Sequence, residues 1–286
     1  MTQRASANGI EIAYDTFGSS GGRPLLLVMG LGSQMIHWDE ELCESLADAG
    51  HHVVRFDNRD VGESTHFHDH GIPAFGGNGQ VPYLLDDMAD DTAGLLDALG
   101  WESAHVVGAS MGGMIAQLLA VRHPHRVRSL TSIMSTPSPG AARPTEAAMA
   151  ALMAPPASDR EGAIQRALAT WKVIGSPGYP INHERITRLA GLSYDRCFDP
   201  AGSTRQLAAI MASADRAPML KELTVPALVL HGEDDQLVPL SGGIATAEAI
   251  PGAKLITFPG MGHDLPRPLW PEFVGAIGEL TAAAEG

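Results

Sequence analysis

Ser110 lies in the stretch Gly108-Ala109-Ser110-Met111-Gly112, a small hydroxyl residue with glycine two places to either side. The apolar His105-Val106-Val107 precedes it and Met111–His123 follows with a helical pattern. A G-x-S-x-G stretch at such a junction predicts a sharp strand-to-helix turn with a strained serine, where flanking side chains would collide. The helix start also offers free N–H groups to developing negative charge. Those features suit a nucleophile, with a glycine-rich junction of no chemical role as the plainer alternative.

A serine hydroxyl attacks poorly unless a base removes its proton and an acid orients that base. In a parallel sheet, reacting groups collect beyond the carboxyl ends of strands. Two late strand ends supply them: His231-Gly-Glu-Asp-Asp-Gln-Leu-Val-Pro239 and Pro259-Gly-Met-Gly-His263-Asp264-Leu-Pro266. His263, in a glycine-flanked loop before the last helix, is the expected base. Among Glu233, Asp234 and Asp235, Asp235 is preferred, because Leu237, Val238 and Pro239 can bury and fix its loop; Asp234 is second. Asp264 ranks low because neighbouring side chains in an extended loop diverge from His263. The strand before the long insertion ends in Ile-Met-Ser-Thr-Pro-Ser, without a carboxylate. Acyl transfer also needs donors for an oxyanion. The N–H groups of Met111 and of Leu31, within Met29-Gly30-Leu31-Gly32, are expected to provide them.

Elements must hold these residues in place. Short Val/Leu/Ile-rich runs at Pro24–Met29, His52–Phe56, His105–Val107 and Ala227–His231 read as strands buried on both faces, with weaker ones at Ile10–Phe17, Val127–Met134 and Lys254–Phe258. Helical patterns alternate with them at Asp39–Ala49, Leu84–Leu99, Met111–His123, Gly242–Ile250 and Leu269–Ala283. This rhythm predicts an α/β fold with a mostly parallel sheet between helices. It breaks over 137–215, which opens on a Pro/Gly/Ser-rich linker and carries helical stretches at Glu146–Met153, Asp159–Val173 and Ser203–Ala214; the strand pattern resumes at Leu223–Val225. Residues 1–136 and 216–286 are therefore expected to form the core domain and 137–215 a helical cap. Gly30 on the core side, and Trp171, Met149 and Met153 on the cap side, are candidate pocket residues, with Leu152, Ile174 and Tyr179 nearby in the same segment.

Bulk composition narrows the partners. The 286 residues are 44% hydrophobic and 18% charged, with a formal net charge of -14. That acidity argues against nucleic acid or an anionic membrane as the main partner. No secretory signal or apolar run of spanning length is visible, so a cytoplasmic protein is expected. Cys43 and Cys197, far apart, read as buried free thiols rather than a disulfide. No cofactor or metal is called for. His66-Phe-His68-Asp-His70 places three histidines at alternate positions and makes a metal site conceivable. The following Gly71–Pro82 stretch is loop, and a solvated loop is the favoured reading; His66, His68, His123, His125 and His183 read as surface histidines.

Together, Val-Met-Gly-Leu-Gly at 28–32, Asp-Asn-Arg-Asp-Val-Gly-Glu-Ser at 57–64, the Ser110 stretch, and the two late loops resemble the α/β-hydrolase fold family across about residues 10–283. Within it, they are similar to a bacterial esterase subgroup of the aclacinomycin methylesterase kind. The resemblance implies a serine esterase with its acid at Asp235, and no cofactor is called for. The apolar residues of the 137–215 cap predict a small-molecule ester or lactone with a substantial apolar body. Lactonases, carbon–carbon bond hydrolases and cofactor-free haloperoxidases share the same machinery, and a hydrolase-like binding protein is the non-enzymatic alternative. Epoxide hydrolases and dehalogenases carry a carboxylate nucleophile, which Ser110 disfavours. Two departures stand out: Met29 replaces the family's common histidine, and Asp60 replaces a common glycine. A backbone donor makes Met29 harmless, whereas the role of Asp60 is open beyond holding the Arg59 loop.

Overall fold

The computed structural model describes residues 2–73 and 81–285. Eight strands form one sheet: β1 (Gln3–Ala7), β2 (Ile10–Phe17), β3 (Arg23–Val28), β4 (His51–Phe56), β5 (Ala104–Ala109), β6 (Val127–Ile133), β7 (Ala227–Gly232) and β8 (Lys254–Phe258). Their order is β1-β2-β4-β3-β5-β6-β7-β8; β1 and β2 run antiparallel, and the rest are mutually parallel. The expected strand centres all appear, and β1 is an addition. Its sequence, Gln-Arg-Ala-Ser-Ala, lacks an apolar run because it is an edge strand exposed along most of its length. Its turn, however, is Asn8-Gly9 at φ +48° and +78°, the dipeptide that primed hairpin turns favour.

Flanking the sheet are α1 (Glu40–Asp48), α2 (Leu85–Ala98), α3 (Met111–Arg122), α9 (Leu240–Ala249) and α10 (Trp270–Ala283). Successive strand residues face opposite layers. Leu26 and Val28 of β3 pack into the layer of α2 and α3, whereas Leu25 and Leu27 pack into that of α1 and α10. Buried on both faces, β3, β5 and β7 lose the period-two pattern, which is why they read as continuous apolar runs.

Between β6 and β7 lie α4 (Glu146–Leu152), α5 (Arg160–Ile174), α6 (His183–Arg196), α7 (Pro200–Ala212) and the short α8 (Ala217–Leu220). Side-chain caps from Thr145, Asp159, Asn182 and Asp199 start α4 to α7. The sequence reading lacked α6, whose composition is mostly polar; its inner face is carried by Ile186 and Leu189. It also placed the return of the strand rhythm at Leu223–Val225. That stretch is irregular, and the strand starts after Pro226, at Ala227.

Candidate active site

Ser110 joins β5 to α3 at φ +56° and ψ -120°, a left-handed conformation that a non-glycine residue adopts only under constraint. Its N–H donates to Ile133 O at 2.9 Å, and its carbonyl accepts from Ser135 Oγ at 2.7 Å, so β6 holds the bend. The flanking glycines are sterically required. A Cβ on Gly108 would lie 2.1 Å from Gly112 O, and one on Gly112 would lie 2.1 Å from Val28 O.

His263 stands opposite, its Nε2 at 3.0 Å from Ser110 Oγ. Its Nδ1 lies 2.7 Å from Asp235 Oδ2. A carboxylate only accepts, so Nδ1 carries the proton, and the Nε2 lone pair faces the serine hydroxyl. Asp235 is buried after β7, and its Oδ1 accepts from the N–H groups of Leu237 (2.9 Å) and Val238 (2.8 Å). His231, fully buried beneath this loop, meets Val238 O through Nε2 at 2.8 Å. Burial holds His231 below its ordinary pKa, so it is a neutral prop and not a second charge beside Asp235. The neighbouring acids point elsewhere. Glu233 accepts from Thr257, Asp234 from Gly260 N, and Asp264 from Ser176 Oγ, with burial raising the Asp264 carboxyl above the ordinary range.

The loop after β3 passes beside the serine. Gly30 is so close that an added Cβ would lie 3.1 Å from Ser110 Cβ. Among the described residues, neither the Leu31 nor the Met111 N–H has an intramolecular acceptor, whereas Gly32 N donates to Gln206 Oε1 of α7 at 2.8 Å. Gln206 Nε2 donates in turn to Arg59 O at 2.7 Å.

A cavity of about 260 Å³ separates this loop from the helices between β6 and β7. Met29, Met134 and Leu265 line its core wall, and Trp171, Ile186 and Leu189 the opposite wall. Trp171 lines this cavity. Met149 and Met153 do not: they are 41% and 50% exposed and line no part of it. As apolar residues of the helical insertion they are expected there, but α4 packs on α5 and leaves that edge to solvent. Polar residues unforeseen in the sequence also reach the cavity, among them Gln34, Arg166 and Arg185.

Asp60 does more than hold the Arg59 loop. It is fully buried at φ +68°, and its carboxylate meets Arg205 of α7 in a two-pronged pair of 2.8 and 2.7 Å. Tyr83 Oη and Phe67 N donate to it as well, at 2.6 and 2.7 Å. The Arg59 guanidinium instead pairs with Asp91 at 2.6 Å. The 66–70 segment is neither strand nor fully solvated: a tight turn at His68–His70 brings His66 and His68 to Asp199 and leaves His70 exposed. Residues 74–80 of the following loop lie outside the described residues. Cys43 is buried as expected, and burial pushes its thiol up to about 12; Cys197 is only half-buried.

Known proteins share this architecture. Residues 23–161 match the family described as alpha/beta hydrolase fold, and residues 200–267 match one described as TAP-like protein. Rhodomycin D methylesterase DauP of Streptomyces sp. (strain C5) is 28% identical, covering 99% of each chain. RutD of Variovorax paradoxus (strain S110) is 30% identical, covering 89% of this chain and 90% of its own. Among solved structures, the esterase RhEst1 from Rhodococcus sp. ECU1013 superposes with a TM-score of 0.77 at 24% identity, covering 99% of both chains. With the matched family, the full-length relatives and the sheet order in agreement, the chain belongs to the α/β-hydrolase fold family.

Proposed function

We propose that the protein is a serine hydrolase that cleaves a small-molecule carboxylic ester through an acyl-enzyme. The observation that carries this reading is the continuous hydrogen-bonded series Ser110–His263–Asp235 beside a partly apolar cavity. In the reaction, Ser110 Oγ bonds to the ester carbonyl carbon while His263 Nε2 takes its proton. The tetrahedral oxyanion forms between the N–H groups of Leu31 and Met111. Its collapse breaks the carbon–oxygen bond, and His263 returns the proton to the leaving alcohol. Water, deprotonated by His263, then releases the acid and restores the serine. Asp235 keeps the proton on Nδ1 and stabilises the imidazolium in both halves.

Residues 137–215 act as the lid of this site, and the apolar wall of Trp171, Ile186 and Leu189 receives the apolar body of the substrate. Gly30, expected in the pocket, packs against Ser110 and is not among the residues that line this cavity. Likeness to rhodomycin D methylesterases supports a methyl ester as the first substrate class to examine. The test is a panel of methyl esters, lactones and carbon–carbon cleavage substrates, run with the wild type and Ser110→Ala, together with a fluorophosphonate probe. Ester turnover and probe labelling at Ser110, both abolished in the variant, are expected. Absence of labelling, or equal ester turnover in the variant, overturns the assignment.

A further inference from the structure

His66 is held by acceptors on both ring nitrogens: Nε2 lies 3.0 Å from Gly62 O, and Nδ1 lies 2.9 Å from Asp199 Oδ2. A neutral imidazole has one N–H and satisfies only one of them. The other contact needs a second proton or a cation between nitrogen and oxygen. His68 decides between these. Its ring stacks on His66 at 5.2 Å and 9°, and its Nδ1 lies 3.5 Å from the same Asp199 Oδ2. Two imidazole nitrogens thus converge on one carboxylate oxygen, with the three ligand atoms all within 4.8 Å of one another.

We propose that His66 Nδ1, His68 Nδ1 and Asp199 Oδ2 form a site for a divalent transition-metal cation of the Zn²⁺ class. Ligands about 2.0 to 2.1 Å from a tetrahedral ion sit about 3.3 Å apart, and the two measured nitrogen–oxygen separations, 2.9 and 3.5 Å, straddle that value. The His66 Nε2–H directed at the Gly62 carbonyl is the outer hydrogen bond that metal-binding histidines use to fix their tautomer. Arg205 Nη2 also donates to Asp199 Oδ2, at 3.0 Å, while pairing with Asp60; two carboxylates against one guanidinium leave one net negative charge among the three for a cation to neutralise. His68 is 68% exposed, so the ion has an entry path and its fourth position is open to water. Cys197 Sγ lies 3.5 Å from Nε2, on the far edge of the His66 ring, and belongs to no ligand set here.

The ligands come from the loop after β4 and from the cap residue of α7, and His66 and Asp199 line the cavity rim. A bound ion fastens that rim and is separate from the Ser110 chemistry. The experiment uses untagged, chelator-stripped full-length protein titrated with Zn²⁺ by calorimetry, with Tm followed in parallel and Co²⁺ as a spectroscopic probe. One Zn²⁺ per chain, a rise in Tm, and a visible Co²⁺ band of tetrahedral type are expected. His68→Ala removes an exposed ligand without disturbing the fold. Asp199→Asn keeps the helix cap while removing the charge. Each is expected to weaken Zn²⁺ binding at least about tenfold, as loss of metal-site groups does. No saturable binding at one ion per chain, or unchanged affinity in either variant, overturns the site.

Discussion

The backbone N–H of His263 donates to the carbonyl of Ile174, the last residue of α5, at 2.7 Å. The loop carrying the imidazole is therefore fastened to the end of α5 and not only to the sheet. Gly262 N donates to Ser176 Oγ at 2.9 Å, and Gly178 N to Gly260 O at 2.9 Å, so three consecutive contacts join the two segments. A Cβ on Gly262 would lie 2.4 Å from Gly175 O. Gly262→Ala is expected to push the loop from α5 and lower kcat at least about tenfold, since small misplacements of a reacting group carry such costs. Circular dichroism reports whether the fold persists, and steady-state kinetics reports the loss.

Asp235 and Asp264 both lie near the imidazole, and they separate cleanly by substitution. Asp235→Asn leaves the shape but favours the wrong histidine tautomer, and kcat is expected to fall by roughly 10⁴-fold, as in other such triads. Asp264→Asn, whose carboxyl bonds Ser176, is expected to change kcat by less than about tenfold. Equal losses in the two variants would contradict the geometry.

The Asp60–Arg205 pair has both partners almost wholly buried. Removing the Asp60 charge breaks a two-pronged pair in a dry site and leaves Arg205 with Asp199 as its remaining carboxylate partner. Asp60→Asn is expected to cost roughly 3 kcal/mol of stability, read as a shift in the urea midpoint. Arg205→Met in the same background should restore part of that loss, which a simple packing defect at Asp60 would not allow.

His105, fully buried in β5 against Ser129 and Glu285, is pushed down to about 4 by burial, with Glu285 opposing. Its unfolded value is the ordinary 6.5. Below that pH the unfolded chain takes up a proton that the folded chain refuses. The stability contribution is thus present above pH 6.5 and lost as pH falls towards 4. Denaturant unfolding at pH 7.5 and pH 5 should reveal a loss on the order of 1 to 3 kcal/mol, part of it absent in His105→Gln.

Much of this site is visible in the sequence because its constraints are local. Gly108 answers a contact with Gly112, four residues on, and the G-x-S-x-G pattern marks the bend even though Gly112 itself meets Val28 of β3; the order Ser110, Asp235, His263 follows from strand ends. Asp235 over Asp234 was readable from the apolar Leu237-Val238-Pro239. The helices between β6 and β7 resisted reading for the opposite reason. Arg205, Gln206 and Arg196 find their partners Asp60, Gly32 and Asp57 across more than a hundred residues, and no periodicity records such pairs. Met149 and Met153 misled because apolar character in a helical segment does not say what covers it. His66 and His68 became informative only when a tight turn brought them to Asp199, where a solvated loop was the favoured reading.

Gln206 has its oxygen on Gly32 and its nitrogen on Arg59, so one amide of α7 spans the loop beside Ser110 and the loop after β4. For anyone recombining parts of related enzymes, the unit of exchange is then not the helical insertion alone. A transplanted insertion lacking glutamine at this position leaves the recipient's Gly32 amide without its acceptor, and a sheet moved without α7 loses a backbone anchor. Chimeras that keep Gln206 with Gly32 and Arg205 with Asp60 should cross over functionally where those cut between them fail.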